Sequence, residues 1–339
     1  MQTVTYSRVG SLEIQLDIRL PPSPTAGALP AVVHFHGGGM TTGARSGYDC
    51  WQWLIDSTLD KGMMFMSADY RLIHPSTGFD IIEDVKALMK FLADPSFSEN
   101  HLPAGLSLDA SRIGVAGVSG GGYAARAAAI YGEPKPRAVY LLYCMGGDLL
   151  CDHWVADKGD SIFNNAPPIP RTAVAHLLDA PISPTAGSAL TPGPGKWHDE
   201  QGRMSLFPYW GHTGELLDYV LGEPISATLR ALPAAKRAAA VPERLRPALL
   251  ETQIDVSFPP TFLLHGDADV TVPLSESQKT VDRLRELGVK TELEIVPGGG
   301  HALMMQVAVP PEFCPGAAEA HEKGMQFLAR ELLDSVTTR

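Results

Sequence analysis

The chain has 339 residues, 45% of them hydrophobic, so it can bury a large core as one big domain or as a domain that carries an insertion. Its 27 Lys and Arg residues against 38 Asp and Glu residues give a formal net charge of −11, and the sequence contains no basic run. These features argue against binding to nucleic acid or to an anionic lipid surface.

Several further features favour a cytoplasmic location. No segment approaches the length of a membrane span, and the opening residues MQTVTYSRVG lack the charged and apolar regions of a signal peptide. The four cysteines are too scattered for a disulfide framework or a zinc ribbon, and the sequence has no Asn-x-Ser/Thr glycosylation acceptor. We therefore expect reduced cysteines and no membrane-spanning segment.

Strand-like and helix-like patterns alternate in chain order. Every second residue of EIQLDIRL is apolar, which predicts a half-buried antiparallel strand, whereas PAVVHFHG and MMFMSADY are continuous apolar runs typical of buried strands. Apolar residues then repeat at helical spacing from Gly78 to about Ala93, which predicts a helix packed on the sheet. SRIGVAGV predicts the next strand, and GGYAARAAAIY the next helix.

The same alternation returns near the C-terminus. RAVYLLYCM, TFLLHG and TELEIV predict strands, VDRLRELG predicts a helix that ends at Gly288, and a closing helix is expected from about Ala318 to Leu333. Strands that alternate with helices predict the α/β class, with an open, mostly parallel sheet covered by helices on both faces.

The pattern fails between Gly147 and Pro259, where proline and glycine are frequent. We assign residues 1–147 and 259–339 to a catalytic core and residues 148–258 to an inserted cap or lid. The insertion is too rich in large apolar groups for a disordered linker. Its aromatic residues include Trp154, Phe163, Trp197, Phe207, Tyr209 and Trp210.

The pentapeptide GVSGG places Ser119 between a predicted strand and a predicted helix. A plain turn would also use glycine, but a serine on a very tight strand-to-helix turn points its hydroxyl out of the sheet, and its neighbours Gly117 and Gly121 must then be small. The position therefore favours a nucleophile elbow, G-x-S-x-G, with the NH of Gly120 directed to the same space as the hydroxyl.

A nucleophilic serine needs a base and an orienting carboxylate. HGDADV places Asp267 and Asp269 after one predicted strand, and VPGGGHAL places His301 after the next. The order Ser, Asp, His, each after its own strand, is that of α/β-hydrolases. Asp269 is the predicted orienting acid, and Asp267 is expected to bind backbone NH groups of its own loop.

The string HFHGGGM follows a third predicted strand. Backbone NH groups without side chains in the way suit the negative oxygen of a tetrahedral intermediate, so Gly38 and Gly39 are predicted donors of an oxyanion hole. A metal site at His34 and His36 lacks a third ligand at suitable spacing. His36 is instead expected to brace the glycine loop.

The sequence resembles the α/β-hydrolase superfamily, in particular the hormone-sensitive-lipase-type esterases of the fold-3 group. The motifs that carry this resemblance are HFHGGG, SADYRL, GVSGGG, HGDAD and GGGHAL. The resemblance covers about 20–148 and 259–339. It implies that Ser119 is the nucleophile, that His301 is the general base and then acid, and that the NH groups of Gly38, Gly39 and Gly120 form the oxyanion hole. In such enzymes ADYRL supports the glycine loop.

The sequence departs from that group in two places. Gly120 stands where the group commonly has alanine, and the acid motif HGDAD is more similar to that of the acyl-thioesterase and dipeptidyl-peptidase branches. The resemblance therefore leaves the subfamily open.

The leading hypothesis is a serine esterase that cleaves small, fairly apolar carboxylic esters through an acyl-enzyme, with a small-molecule substrate and no metal or other cofactor. The alternatives are an acyl transferase, lactonase or peptidase with the same triad, or a non-catalytic ligand-binding protein on a hydrolase scaffold. The segment SLFPYWGHTGELLDYV contains a predicted helix with an apolar stripe that Thr213 can cap. Its aromatic residues either line the substrate pocket or pack the cap on the core. The predicted pocket residues are Phe207, Tyr209, Trp210 and Met304.

Overall fold

The strands follow from the apolar runs identified above. The computed structural model of the chain describes residues 1–47, 52–161, 167–193, 196–305 and 312–334. The strands in these ranges are β1 (Gln2–Val9), β2 (Leu12–Arg19), β3 (Gly27–Phe35), β4 (Met64–Ala68), β5 (Leu106–Val118), β6 (Ala138–Leu142), β7 (Thr191–Gly193), β8 (Lys196–His198), β9 (Thr261–Gly266) and β10 (Thr291–Val296).

Most of these strands form a single sheet of eight, in the order β1-β2-β4-β3-β5-β6-β9-β10, while β7 and β8 form a separate hairpin. The pairs β1–β2 and β2–β4 are antiparallel, and the remaining pairs are parallel. Every residue of β4, β6 and β9 is buried, as expected for parallel strands covered on both faces. The predicted α/β class with a mostly parallel sheet is confirmed.

Helices cover both faces of the sheet. The α-helices in the described ranges are α1 (Gln52–Asp60), α2 (Gly78–Ala93), α3 (Ser96–His101), α4 (Gly121–Tyr131), α5 (Asp152–Val155), α6 (Arg171–Leu178), α7 (Leu206–Thr213), α8 (Leu216–Leu221), α9 (Ser226–Arg230), α10 (Ala234–Ala240), α11 (Ser275–Glu286) and α12 (Ala317–Leu333). On one face α1 and α12 pack through side chains such as Leu54 and Phe327, and on the other α2, α4 and α11 pack through side chains such as Val85 and Leu284.

The elements agree with the sequence predictions where apolar periodicity was strong. Helix α2 has the predicted bounds, and α12 begins one residue before the predicted start. Helix α11 begins at Ser275, well before the predicted segment VDRLRELG. The sequence did not predict this start, because the first turns of the helix are polar and carry no helical apolar pattern. Strand β1 and helix α1 were not predicted at all.

The segment 148–258 contains helices α5 to α10 and short 3₁₀ turns, and its buried side chains belong to the same hydrophobic cluster as one face of the sheet. Residues 162–166 and the side chain of Trp197 lie outside the described part. The expectation that Thr213 caps a helix was wrong. Thr213 is the last residue of α7, which ends because Gly214 adopts a left-handed conformation, and α8 begins only at Leu216.

Two sequence expectations concern membranes and cysteines. Among the helices in the described ranges, none combines the length and apolar character needed to cross a bilayer. Cys144, Cys151 and Cys314 are free thiols, whereas Cys50 lies outside the described residues.

Candidate active site

Ser119 occupies the tight turn between β5, which ends at Val118, and α4, which begins at Gly121. Its φ of 52° lies in the left-handed region that non-glycine residues rarely adopt, and such strain is concentrated at functional sites. A Cβ added to Gly121 would come within 2.2 Å of the carbonyl oxygen of Phe35. Only glycine fits at that position, so the predicted elbow and its small neighbours are present.

Three residues that follow strands β5, β9 and β10 form one chain of hydrogen bonds. Ser119 Oγ lies 2.9 Å from Nε2 of His301, and Nδ1 of His301 lies 2.8 Å from Oδ2 of Asp269. Asp269 follows β9 and His301 follows β10, so both stand at the carboxyl end of a parallel strand. Serine, imidazole and carboxylate within these distances can act together as nucleophile, base and orienting acid.

The carboxylate of Asp269 is fully buried and bonded through both oxygens. Oδ1 accepts hydrogen bonds from the backbone NH groups of Thr271 at 2.9 Å and Val272 at 3.0 Å. Burial by itself would raise the pKa of this carboxyl, but the nearby charge of His301 and hydrogen bonds from His265 and His301 hold the pKa well below its ordinary value. Asp269 is therefore ionised at neutral pH.

Asp267 lies apart from this chain of hydrogen bonds. Its exposed carboxylate accepts a hydrogen bond from the backbone NH of Gly298 at 2.6 Å. Gly298 belongs to the glycine-rich loop that leads to His301, so the expectation that Asp267 binds its own loop was wrong. The residue instead joins the loop after β9 to the loop after β10.

The glycine loop after β3 lies against the serine elbow. Gly38 and Gly39 have φ values of 86° and 60°, in the left-handed region. A Cβ added to Gly120 would lie 2.5 Å from the backbone nitrogen of Met40 and 2.7 Å from that of Gly39. The backbone nitrogens of this loop therefore adjoin the turn that carries Ser119, and alanine at position 120 would collide with them.

Of the residues expected to support the loop, Tyr70 contacts it. Tyr70 donates a hydrogen bond from its hydroxyl to the carbonyl oxygen of His36 at 2.7 Å, and the two rings are stacked with centroids 4.4 Å apart. Asp69 forms an ion pair with Arg45 at 2.5 Å. His36 thus braces the glycine loop, as predicted.

The predicted pocket residues occupy different surroundings. Phe207 packs on Gly39, since a Cβ there would come within 2.5 Å of the ring. Trp210 is fully buried and stacked on Tyr219 with ring centroids 4.0 Å apart, and Tyr209 is 9% exposed. Met304 is half-buried, and its backbone NH donates to the carbonyl oxygen of His301 at 3.2 Å.

Two aromatic neighbours of the triad were missed by the sequence analysis. Tyr143, just after β6, places its ring edge-on to that of His301 with centroids 5.3 Å apart. His265, the last-but-one residue of β9, has Nε2 at 3.4 Å from Oδ2 of Asp269. His265 belongs to the HGDAD motif, so its position was visible, but its contact with Asp269 depends on a loop conformation that the motif does not specify.

No group of three or more His, Cys, Asp and Glu side chains arranged to hold a metal ion occurs in the described ranges. His34 has Nδ1 at 3.1 Å from the hydroxyl of Ser67, and burial lowers the pKa of its imidazole to about 3.

Comparison with known families agrees with this architecture. Residues 16–137 match the BD-FAE family, and residues 243–312 match the prolyl oligopeptidase family. The first match covers the strands that carry the glycine loop and Ser119, and the second covers the two loops that carry Asp269 and His301.

Similar curated proteins differ greatly in length. The chain is 28% identical over 296 residues to "Probable carboxylesterase M8" of a Phoma species, covering 85% of this chain and 84% of that protein. It is also 28% identical to the non-reducing polyketide synthase Preu6 of Preussia isomera over 97% of this chain, but spans 15% of the synthase. For the synthase ausA of Aspergillus calidoustus the identity is 24% and the spanned share is 14%.

Solved structures show the same fold. A thermophilic esterase of Thermogutta terrifontis, Est2 with butyrate bound, has a TM-score of 0.57 at 18% identity, covering 98% of this chain and 93% of that one. A Staphylococcus aureus protein of unknown function has a TM-score of 0.62 at 17% identity, covering 97% and 98%. The strand order and these likenesses show that the chain has an α/β-hydrolase fold.

Proposed function

We propose that the protein is a serine hydrolase that cleaves small, fairly apolar carboxylic esters through an acyl-enzyme, with Ser119, His301 and Asp269 as its catalytic triad. The observation that carries this proposal is the continuous chain of hydrogen bonds from Ser119 Oγ to His301 at 2.9 Å and from His301 to Asp269 at 2.8 Å. A free serine hydroxyl is too weak a nucleophile at neutral pH, and this arrangement supplies the base that it needs.

In the first half-reaction Ser119 Oγ attacks the ester carbonyl carbon while Nε2 of His301 takes the hydroxyl proton. His301 then gives that proton to the leaving alcohol oxygen, and the acyl group remains on Ser119. In the second half-reaction His301 removes a proton from water, which attacks the acyl carbon. The bond between Ser119 Oγ and the acyl carbon then breaks, His301 returns the proton to Oγ, and the acid is released. Asp269 stays ionised throughout and holds the Nδ1–H of His301.

Each tetrahedral intermediate carries a negative oxygen that needs hydrogen-bond donors. The backbone NH groups of Gly38, Gly39 and Gly120 are proposed as these donors. The close approach of Gly120 to the backbone nitrogens of Gly39 and Met40 supports this assignment, because it gathers NH groups next to the nucleophile. Met40 was not identified from the sequence, and its NH is a further candidate donor.

The substrate proposal draws on the relatives and on the insertion. The names of two similar proteins, a carboxylesterase and an esterase that binds butyrate, support a carboxylic ester as substrate. Phe207 beside Gly39 supplies an apolar wall near the proposed oxyanion hole, which favours short to medium uncharged groups. The division into core and cap, and the cytoplasmic location, remain predictions.

A second candidate function is acyl transfer or thioester cleavage with the same triad. It is supported by several non-reducing polyketide synthases among the relatives, of which this chain spans 13–15%. The HGDAD acid motif points the same way, through its similarity to that of acyl-thioesterases. A purely ligand-binding role is the least supported, because all three triad residues are present and hydrogen-bonded.

The proposal is tested with matched acyl groups presented as p-nitrophenyl esters, thioesters, lactones and amides. We expect the highest kcat/KM for esters of short to medium acyl chains, unchanged by EDTA, and lost in Ser119→Ala. Two results would favour the second candidate. One is a preference for thioesters, and the other is turnover that is slow unless an added alcohol or thiol accepts the acyl group. Hydrolysis that survives in Ser119→Ala would contradict both.

A further inference from the structure

His265 lies behind the triad, at the end of β9. Its side chain is fully buried, and Nε2 lies 2.9 Å from the carbonyl oxygen of Val272 and 3.4 Å from Oδ2 of Asp269. Oδ2 is the same oxygen that lies 2.8 Å from Nδ1 of His301. Two histidine nitrogens, Nε2 of His265 and Nδ1 of His301, therefore lie near the same carboxylate oxygen.

The contacts of His265 determine where its proton lies. A carbonyl oxygen and an ionised carboxylate can only accept hydrogen bonds, so Nε2 of His265 carries a proton. Nδ1 lies 2.8 Å from the hydroxyl of Ser277 in α11, which fixes the ring from the opposite side. In the neutral ring, Nδ1 accepts a hydrogen bond from that hydroxyl.

We propose that His265 is a positioning residue, which keeps the carboxylate of Asp269 in the orientation that receives Nδ1–H of His301. It does so by donating its Nε2–H to the carbonyl oxygen of Val272 at 2.9 Å, on the loop that holds Asp269, and by lying 3.4 Å from Oδ2. The inference rests on the proposed function. The other oxygen of Asp269 is held by two backbone NH groups of its own loop. His265 is thus the side chain, besides His301 itself, that restrains this carboxylate in the described part of the chain.

Other ionisable groups near this pair have separate contacts. His153 in α5 has Nε2 at 3.1 Å from the carbonyl oxygen of Thr271. Glu276 in α11 accepts hydrogen bonds from the backbone NH groups of Gly147 and Asp148 and from the indole of Trp154. Both groups stay unchanged in the variants below, so a change in pH dependence can be assigned to His265.

The test compares His265→Leu, which removes the donor, with His265→Gln, whose amide nitrogen can replace Nε2. We expect His265→Leu to lower kcat for a p-nitrophenyl ester about 10- to 100-fold with little change in KM, because the carboxylate loses its contact with Nε2–H and its loop loses the hydrogen bond at Val272. The acidic limb of its kcat/KM profile should move to higher pH by about 0.5 to 1 unit, because Asp269 then interacts more strongly with protonated His301. His265→Gln should recover most of kcat and the wild-type limb.

His34 provides a matched control, because it is also a fully buried strand histidine with Nδ1 near a serine hydroxyl, Ser67, at 3.1 Å. We expect His34→Leu to lower Tm but to keep kcat and the pH profile. A further test places His265→Leu in an Asp269→Asn background. Because the residue acts through Asp269, its loss there should change kcat by less than about twofold.

The inference is overturned if folded His265→Leu keeps the wild-type kcat and pH profile, or if Leu and Gln lower kcat equally without a pH shift. If His265→Leu does not fold, Ser277→Ala is measured instead. It should lower kcat and move the acidic limb in the same direction, and an unchanged enzyme would overturn the inference. If the wild type shows no hydrolysis that depends on Ser119, the proposed function itself is overturned. If the wild type hydrolyses esters and the His265 variants are unaffected, only this inference is overturned.

Discussion

Phe207 lies directly on Gly39: a Cβ at Gly39 would come within 2.5 Å of Cγ and Cδ2 of the phenyl ring. Phe207 belongs to α7 in the segment 148–258, and Gly39 belongs to the glycine loop beside the serine elbow. This segment thus contributes an aromatic wall next to the proposed oxyanion hole. The contact therefore brings a segment whose elements were not predicted from the sequence next to the proposed site at Ser119.

Phe207→Ala should change which esters the enzyme accepts. Removing the ring opens space beside the glycine loop, so we expect the optimum of kcat/KM across p-nitrophenyl esters to move to longer or bulkier acyl chains. Hydrolysis of the acetate should persist. The series from acetate to octanoate measures the shift.

Trp210→Ala is the matched comparison, because Trp210 is fully buried and stacked on Tyr219. Removing such a side chain typically costs about 3–5 kcal/mol of stability, and we expect a lower Tm with little change in the acyl-chain profile. A profile that shifts in Trp210→Ala and not in Phe207→Ala would show that the pocket wall has been assigned to the wrong residue.

Gly120→Ala should impair catalysis through a collision with the glycine loop. Gly120 has φ −56° and ψ −31°, which alanine adopts without strain, so the added methyl group is opposed by the close backbone of the glycine loop, with the nitrogens of Met40 at 2.5 Å and Gly39 at 2.7 Å. Displacing the loop should lower kcat about 100-fold, the usual cost of a lost oxyanion donor.

Gly187→Ala is the control for that substitution, because a Cβ there would meet its nearest neighbour, Ala44, at an ordinary 3.5 Å. We expect it to keep wild-type kcat and Tm. Full activity in Gly120→Ala would contradict the tight approach of the two loops.

Asp269→Asn and Asp267→Asn should separate the two carboxylates of HGDAD. Asp269→Asn leaves Nδ1 of His301 without its acceptor and should lower kcat about 10⁴-fold at neutral pH. Asp267→Asn weakens only the hydrogen bond from Gly298 and should mainly lower Tm. Steady-state kinetics and thermal denaturation of the two variants check this assignment, which reversed effects would contradict.

Glu251 should make stability fall as the pH rises. Both of its carboxyl oxygens are buried without a hydrogen-bond partner, and burial, helped by the charge of Glu276, raises its pKa from 4.5 to about 8. Between these pH values the folded chain keeps a proton that the unfolded chain releases, so this contribution to stability is complete at low pH and is lost as the pH rises. The loss amounts to at most about 1.4 kcal/mol per pH unit.

Glu251→Gln removes this proton release. Its Tm relative to the wild type should therefore increase from pH 5 to pH 8, whereas exposed Glu99→Gln should follow the wild-type curve at every pH. A constant Tm difference for Glu251→Gln across that range would contradict the raised pKa.

The sequence predicted the strand-end residues well for a physical reason. Ser119 and Asp269 follow apolar runs typical of buried strands, whereas His301 follows the alternating strand TELEIV. Parallel strands bring their carboxyl ends to one edge of the sheet. The positions of these residues in the chain thus determined that they would lie close together.

Other parts of the site depend on contacts that no local pattern encodes. The polar start of α11 is held by buried hydrogen bonds to Glu276, and the packing of Phe207 on Gly39 joins residues far apart in the chain. The sequence also showed Gly120 as a departure from a family pattern. Only the structure relates that glycine to the close approach of Met40.

The central claim is that Ser119 is the nucleophile, and covalent labelling tests it most directly. Wild-type protein and Ser119→Ala are incubated with a fluorophosphonate probe, and the labelled peptide is identified by mass spectrometry. We expect one adduct per wild-type chain, on Ser119, no adduct in Ser119→Ala, and a loss of ester hydrolysis of up to about a million-fold in that variant. An adduct on another residue, or a Ser119→Ala protein that keeps even about a tenth of the wild-type rate, would contradict the account.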